Sequence, residues 1–501
     1  MIILDGKNLN LESLYKIAYL SEKVEIDKAV IPLINQASDY VNNIVKNNKA
    51  VYGINTGFGK LATVSILDKD VSTLQRNLLI SHACGVGEPL SVFEARAMLA
   101  LRINALIKGN SGIRLETINK MVELLNNNIT PVIYEKGSLG ASGDLALLSH
   151  MSLPLIGLGE VIINNKIYET KAGFALKNVK PLENLNAKEG LSLINGTQAM
   201  TAIGALNLYH GYKILKYANF SYALTMEALL GITSALDEKV HEIRNQKGQI
   251  VVAKEMREFL TDSNLTTFKN DERIQDAYSL RCAPQVHGAV LNTLEHVKDI
   301  LEREFNAVTD NPLIFPNEDE AISAGNFHGE PIAFVLDYLA IAISELANIS
   351  ERRIERMVNP QLSNNLPAFL VSEAGLNSGF MIVQYTAAAL VSENKIFAHP
   401  ASVDSIPSSA NQEDHVSMGT IAARKLRTII DHTYKVLSYE MFTAAQAIDF
   451  RDKTKLGSKT KKAYELIRKE IPFIEKDELM HPYMVKIEKL LKEDAFKNII
   501  G

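Results

Sequence analysis

The sequence predicts a mainly α-helical protein, with a long central helix bundle over residues 211–501 and a more mixed N-terminal part over residues 1–210. Three observations carry this prediction. Residues 329–358 and 415–450 each hold helical spacing over many turns. In the second, Leu426, Ile430, Tyr434, Leu437, Met441, Ala445 and Ile448 recur on one helix face. Such stretches are about threefold longer than the average helix, and helices of this length bury their apolar faces against other helices and often against other subunits. The N-terminal part instead alternates short apolar segments with glycine-rich turns. No internal repeat or low-complexity tract is visible, so residues 1–501 read as one chain without separable domains.

The elements follow in chain order. "QASDYVNNIVKNNK" (36–49) reads as a helix ending in a polar turn. "VYGINTGFGKLA" (51–62) places three glycines within seven residues and reads as a loop. A helix is expected through "LSVFEARAMLALRINALIKGNSGI" (90–113), with Gly109 and Asn110 as its stop signal. Residues 137–143 form a second glycine-rich loop, which runs directly into the leucine-rich "DLALLSH". "GEVIINNKIYET" (159–170) reads as a hairpin with Asn164 and Asn165 at its turn.

Composition narrows the function classes. With 47% hydrophobic and 22% charged residues, the chain has globular composition. A formal net charge of −5 gives no electrostatic reason to expect nucleic acid or an anionic membrane as partner. The basic stretch at 453–469 is followed by "EKDEL" and reads as a solvated helix face. Cys84 and Cys282 cannot build a disulfide framework, and the N-terminus lacks a secretory signal pattern. The longest apolar run, 331–349, is interrupted by Asp337 and Glu345, so no bilayer span is expected. The expected compartment is a reducing cytoplasm.

The loop "GSLGASGDLALLSH" (137–150) raises the chemical question. Ala-Ser-Gly arises by chance in about one chain in six of this length, so the triplet alone decides nothing. Its chemistry is nevertheless specific. Attack of the Gly143 nitrogen on the Ala141 carbonyl, with loss of one water, closes a five-membered ring. Loss of the Ser142 hydroxyl as a second water leaves an exocyclic methylene conjugated to the ring carbonyl, an electrophile made from backbone. Gly137 and Gly140 would permit the strained turn, and a helix beginning near Asp144 would direct its positive end at the ring oxygen.

Other segments place this loop in a family. "GSLGASGDL" (137–145), "YGINTGFG" (52–59), "LINGTQ" (193–198), "QDAYSLRCAPQVHG" (275–288) and "SSANQEDHVSMG" (408–419), with "TDNPL" (309–313) and "GNFHGEP" (325–331), resemble the aromatic amino-acid ammonia-lyases in the same order and over nearly the whole chain. The resemblance implies a helical fold of the ammonia-lyase/fumarase-like type. It also implies a protein-derived 4-methylidene-imidazol-5-one from Ala141-Ser142-Gly143, no external cofactor, and a homotetramer whose sites draw on several subunits. Fumarase-type lyases share the long helices but use an "SSxMPxK" loop that this sequence lacks. One departure stands inside the signature: the family usually has proline where this chain has Leu147, a first-turn position at which proline helps but is dispensable.

The resemblance also assigns roles. Tyr52, on a glycine-rich loop that could close over substrate, and Tyr278 are the acid–base candidates, with the division between them open. Arg281 is the partner for a substrate carboxylate. Asn195 hydrogen-bonds near the ring, and Phe327 forms an aromatic wall. His82 and Glu413 contact the substrate side chain, and Gln275 adds a polar contact. Phenylalanine- and tyrosine-specific members usually carry glutamine at the position of Glu413, whereas histidine-specific members carry glutamate. A carboxylate can accept a hydrogen bond from an imidazole N–H, while a phenyl ring would leave its charge unpaired. The expected substrate is therefore L-histidine, giving trans-urocanate and ammonia. A tyrosine or phenylalanine lyase, or an aminomutase on the same scaffold, is the alternative. His328 lies beside Glu330 but has no third ligand at suitable sequence spacing, so no metal is expected.

Overall fold

The computed structural model describes residues 1–47, 51, 53–57, 66–270 and 273–501, so Tyr52 lies outside the described residues. Among the described residues there are nineteen α-helices and nine short strands. The four longest helices are Gln198–Ala228, Ala283–Phe305, Glu330–Val358 and Gly419–Ile448.

The helix expected over 329–358 is present, whereas the one expected from 415 begins only at Gly419. Residues just before it are drawn away by tertiary contact. The Met418 N–H donates to the Leu139 carbonyl at 3.0 Å, and Met418 takes a φ of 55°. Val416 and Met418 pack there against Ala141. Helix Gln198–Ala228 has no amphipathic stripe to read in sequence, because nearly every residue along it is buried.

The chain divides into two compact units: Met1–Tyr209, Lys298–Asp337 and Pro400–Arg424 form the first, and His210–Val297, Tyr338–His399 and Lys425–Gly501 form the second. The first unit holds all nine strands. Ile2–Leu4 pairs in parallel with Val24–Ile26. Thr130–Pro131, Glu160–Ile163 and Lys166–Glu169 make a three-stranded antiparallel sheet, whose hairpin turns at Asn164 and Asn165 with φ of 49° and 60°. Asparagine tolerates this left-handed pair, which matches the twist of the flanking strands. Helix Val92–Leu106 starts with a reciprocal Ser91–Glu94 capping box and is buried almost all round. Its Arg96 donates to the carbonyls of Ile17 and Leu125, which satisfies a buried cation.

Helix Glu330–Val358 is long and apolar enough to cross a membrane by composition, but 61% of its most apolar window is buried inside the protein, as in a core helix. Its Asp337 is buried and accepts the Ser402 N–H at 2.8 Å.

The second unit is organised around a fully buried ion pair between Arg353 and Glu440. Ser350 and Thr225 donate to the same carboxylate, so both of its oxygens are satisfied. Phe220 and Phe259 pack edge to face nearby in sequence order, with centroids 5.0 Å apart.

Candidate active site

Four backbone constraints shape the 137–143 loop. Gly137, Gly140, Ser142 and Gly143 all have positive φ, at 144°, 87°, 51° and 80°. For Ser142 this is a strained conformation held by its surroundings. A Cβ at Gly143 would collide with the Gly196 backbone, and one at Gly140 would collide with Ser417. The loop is thus a tight turn pressed against two other segments, closed by the Gly143 N–H on the Gly140 carbonyl at 3.3 Å.

Asp144 anchors the turn, and the sequence reading gave it no role beyond marking a helix start. Its buried carboxylate accepts from Ser138 Oγ at 2.9 Å, from the Ala199 and Met200 N–H groups at 2.9 Å each, and from the Thr420 hydroxyl. Its own N–H donates to the Gly196 carbonyl at 2.8 Å. Burial pushes the carboxyl pKa up, against the lowering effect of these donors. One side chain therefore joins the loop to the N-terminus of helix Gln198–Ala228 and to the start of helix Gly419–Ile448. Helix Leu145–Ser152 begins directly behind it, with Leu147 fully buried in its first turn.

Asn195 and Gly196 stand on a buried polar network. Arg102, fully buried, donates to Gln198 Oε1 at 2.9 Å and to the Ser192 carbonyl. Gln198 in turn donates to Thr309 at 2.8 Å. Lys188 bridges Asp310 and Ser192 at 2.6 and 3.1 Å. Burial lowers the pKa of Arg102 to about 10, which leaves it charged at neutral pH.

These supports surround a cavity of about 400 Å³ lined by Ser142, Asn195, His82 and Glu413, together with Gly57, Leu74, Asn77, Leu78, Ser81, Leu145, Leu191, Ile194 and Ser409. Ser142 Oγ donates to Glu413 Oε1 at 3.1 Å. Ser408 Oγ donates to Glu413 Oε2 at 2.9 Å, and the two residues exchange backbone hydrogen bonds across a turn whose Ser409, Ala410 and Asn411 all have positive φ. The Glu413 carboxylate is therefore aimed by its own turn. Asn195 Oδ1 is buried without a hydrogen-bond partner among the described residues, an acceptor left open in the cavity wall. His82 ends helix Asp68–His82, whose Leu74, Asn77, Leu78 and Ser81 share its face. Burial lowers the His82 pKa, partly offset by a backbone hydrogen bond at Leu78 and by the Glu413 charge. Asn77 lines the cavity one helical turn before Ser81, and no motif in the sequence marks it.

Phe327, Gln275, Tyr278 and Arg281 are not among the residues that line this cavity. Phe327 is half-buried in the bend before helix Glu330–Val358 and belongs to the same unit without lining the cavity. Gln275, Tyr278 and Arg281 belong to the second unit. There Asp276 clamps their segment: it accepts the Ile232 N–H at 2.6 Å and pairs with Arg273 at 3.2 Å. Gln275 and Tyr278 are exposed, and the Arg281 guanidinium lies 4.5 Å from the Tyr278 ring centroid. Arg281 Nε is buried and has no hydrogen-bond partner among the described residues.

The geometry of the turn fits ring closure. Gly143 has no room for a side chain, Ser142 presents its hydroxyl to the cavity, and a helix N-terminus follows at once.

Comparison with known proteins gives consistent results. The sequence profile described as aromatic amino acid lyase matches residues 9–469. A histidine ammonia-lyase of Caldanaerobacter subterraneus is 50% identical over 99% of this chain and 99% of its own length. Among solved structures, a histidine ammonia-lyase from Trypanosoma cruzi is 43% identical, with a TM-score of 0.92 over 100% of this chain and 94% of that one. A tyrosine aminomutase from Streptomyces globisporus is 37% identical, with a TM-score of 0.95 over 100% and 98%. The fold is common to lyases and aminomutases.

Proposed function

Because the chain belongs to the aromatic amino acid lyase family, a family of carbon–nitrogen lyases, we propose that it eliminates ammonia from L-histidine to give trans-urocanate. The observation that carries this reading is the Glu413 carboxylate, hydrogen-bonded to Ser142 at 3.1 Å in one cavity with His82 and Asn195.

Ala141, Ser142 and Gly143 are the residues that would become the 4-methylidene-imidazol-5-one, by loss of two waters and without an external cofactor. That group, once formed, supplies an electrophile that makes the substrate amine a better leaving group. The protein's other side chains bind and orient. Glu413 accepts the N–H of the substrate imidazole, and His82 lines the same cavity. The open Oδ1 of Asn195 accepts a hydrogen bond from the substrate or from the group beside it. Arg281 clamps the substrate carboxylate, Gln275 adds a polar contact, and Phe327 closes the apolar side. Tyr52 and Tyr278 carry the protons, one of them taking the β-proton of the substrate. We place the enzyme in the cytoplasm as a homotetramer whose sites draw on several subunits.

The test compares L-histidine, L-tyrosine and L-phenylalanine as substrates, following urocanate or the corresponding enoate by absorbance and ammonia separately. Release of urocanate and ammonia from histidine, with little turnover of the others, is expected. Equal turnover of histidine and tyrosine would overturn the substrate assignment, and β-amino acid without free ammonia would identify an aminomutase.

A further inference from the structure

The sequence offers His328 and Glu330 as a pair without a third ligand, and folding brings His415 to them from 85 residues farther along. His415 Nδ1 lies 3.4 Å from His328 Nε2, with the two rings nearly parallel at 21°. Glu330 Oε2 lies 3.9 Å from His328 Nδ1. One ligand atom from each of the three residues falls within 4.8 Å of the other two.

The hydrogen bonds show what this cluster lacks. The Glu330 N–H donates to His328 Nδ1 at 3.3 Å, so it is Nε2 that faces His415. Glu330 Oε2 is buried and has no hydrogen-bond partner among the described residues, which is unfavourable for a carboxylate oxygen. A cation at the cluster would resolve it.

We propose that His328, Glu330 and His415 bind one divalent transition-metal ion of the zinc class, as a site separate from the substrate cavity. Two imidazoles and a carboxylate form a borderline N,N,O donor set that suits Zn²⁺ better than Mg²⁺ or Ca²⁺. The spacing agrees, because two nitrogens at ordinary Zn–N distances on a tetrahedral ion stand roughly 3.4 Å apart, the observed His328–His415 separation. Binding would replace the shared imidazole hydrogen bond by two bonds to one ion, with the ring proton of His328 moving from Nε2 to Nδ1, Glu330 as third ligand and water completing the shell. His328 follows Phe327 directly, and His415 stands two residues after Glu413. The ion would therefore tie together the two segments that present those residues.

The test uses the full-length protein, stripped of metal with a chelator and desalted. Zn²⁺ is titrated calorimetrically and Co²⁺ is followed by its visible ligand-field absorption, so neither readout requires turnover. One ion per chain is expected, with binding weakened about tenfold or more in both His415→Ala and Glu330→Gln. His415 is exposed, so its variant should retain the wild-type circular dichroism. Hydrogen exchange should slow on Zn²⁺ addition in the peptides covering 325–331 and 408–417 of the wild type only. Absence of stoichiometric binding, or equal affinity in wild type and both variants, would overturn the proposal.

Discussion

Ser142 Oγ donates to Glu413 Oε1 across 3.1 Å, joining residues 271 positions apart in the chain. The first belongs to the triplet expected to become the electrophile, and the second is the expected reader of the substrate side chain. The triplet and the expected specificity residue thus share one cavity wall.

Glu413→Gln keeps the shape and removes the charge. A hydrogen bond to a charged group contributes about 1.5–3 kcal/mol, so kcat/KM for histidine should fall roughly 10- to 150-fold. Turnover of phenylalanine or tyrosine should not fall with it. Steady-state kinetics on all three amino acids checks this, and an equal loss for every substrate would assign Glu413 to the loop's architecture instead.

Gly143→Ala places a methyl against the Gly196 backbone at a φ of 80°. The variant should show a lower melting temperature and no dehydration of the triplet. A variant with wild-type turnover would show that the turn is looser than its contacts indicate.

Asp144→Asn leaves one of its oxygens as an acceptor and turns the other into an N–H₂ group facing donors. Stability should drop by about 1–3 kcal/mol, measured by denaturant unfolding, and the fraction of dehydrated chain in intact-mass spectra should fall. A full mass deficit at unchanged stability would contradict the anchoring role.

Acid should destabilise the second unit through His210. Burial, then the nearby Lys213 charge, lower its pKa from 6.5 to about 4, while its Nδ1 lies 3.1 Å from the Tyr434 hydroxyl. The folded state then binds fewer protons than the unfolded state between these values. Its contribution is present in full above pH 6.5 and is lost as pH falls toward 4, on the order of 3 kcal/mol in total. His210→Gln should flatten the fall of stability between pH 6.5 and 4, and an unchanged slope would contradict the assignment.

Much of this site was legible in sequence because its chemistry depends on short contiguous motifs. The triplet, Asn195 and Glu413 each sit in a short segment that resembles a motif of the family, and without that resemblance Asn195 reads as a turn residue and Glu413 as a surface charge. The two amphipathic helices were legible because one face is apolar and the other polar. Helix Gln198–Ala228 was not, since burial on all sides erases that contrast. Asp144 and Arg102 were illegible for a different reason: their partners come from Thr420, Met200, Ser192 and Gln198, and only the fold brings these together. His415 joins His328 and Glu330 in the same way.

The proposed reaction depends on Ala141, Ser142 and Gly143 becoming the electrophile. Intact-mass spectrometry of the purified full-length chain, beside Ser142→Ala, reads this out. The wild-type chain should weigh two waters less than its sequence requires, while the variant shows no deficit and no turnover. A wild-type mass equal to that of the encoded sequence, in a preparation that turns over histidine, would contradict the account.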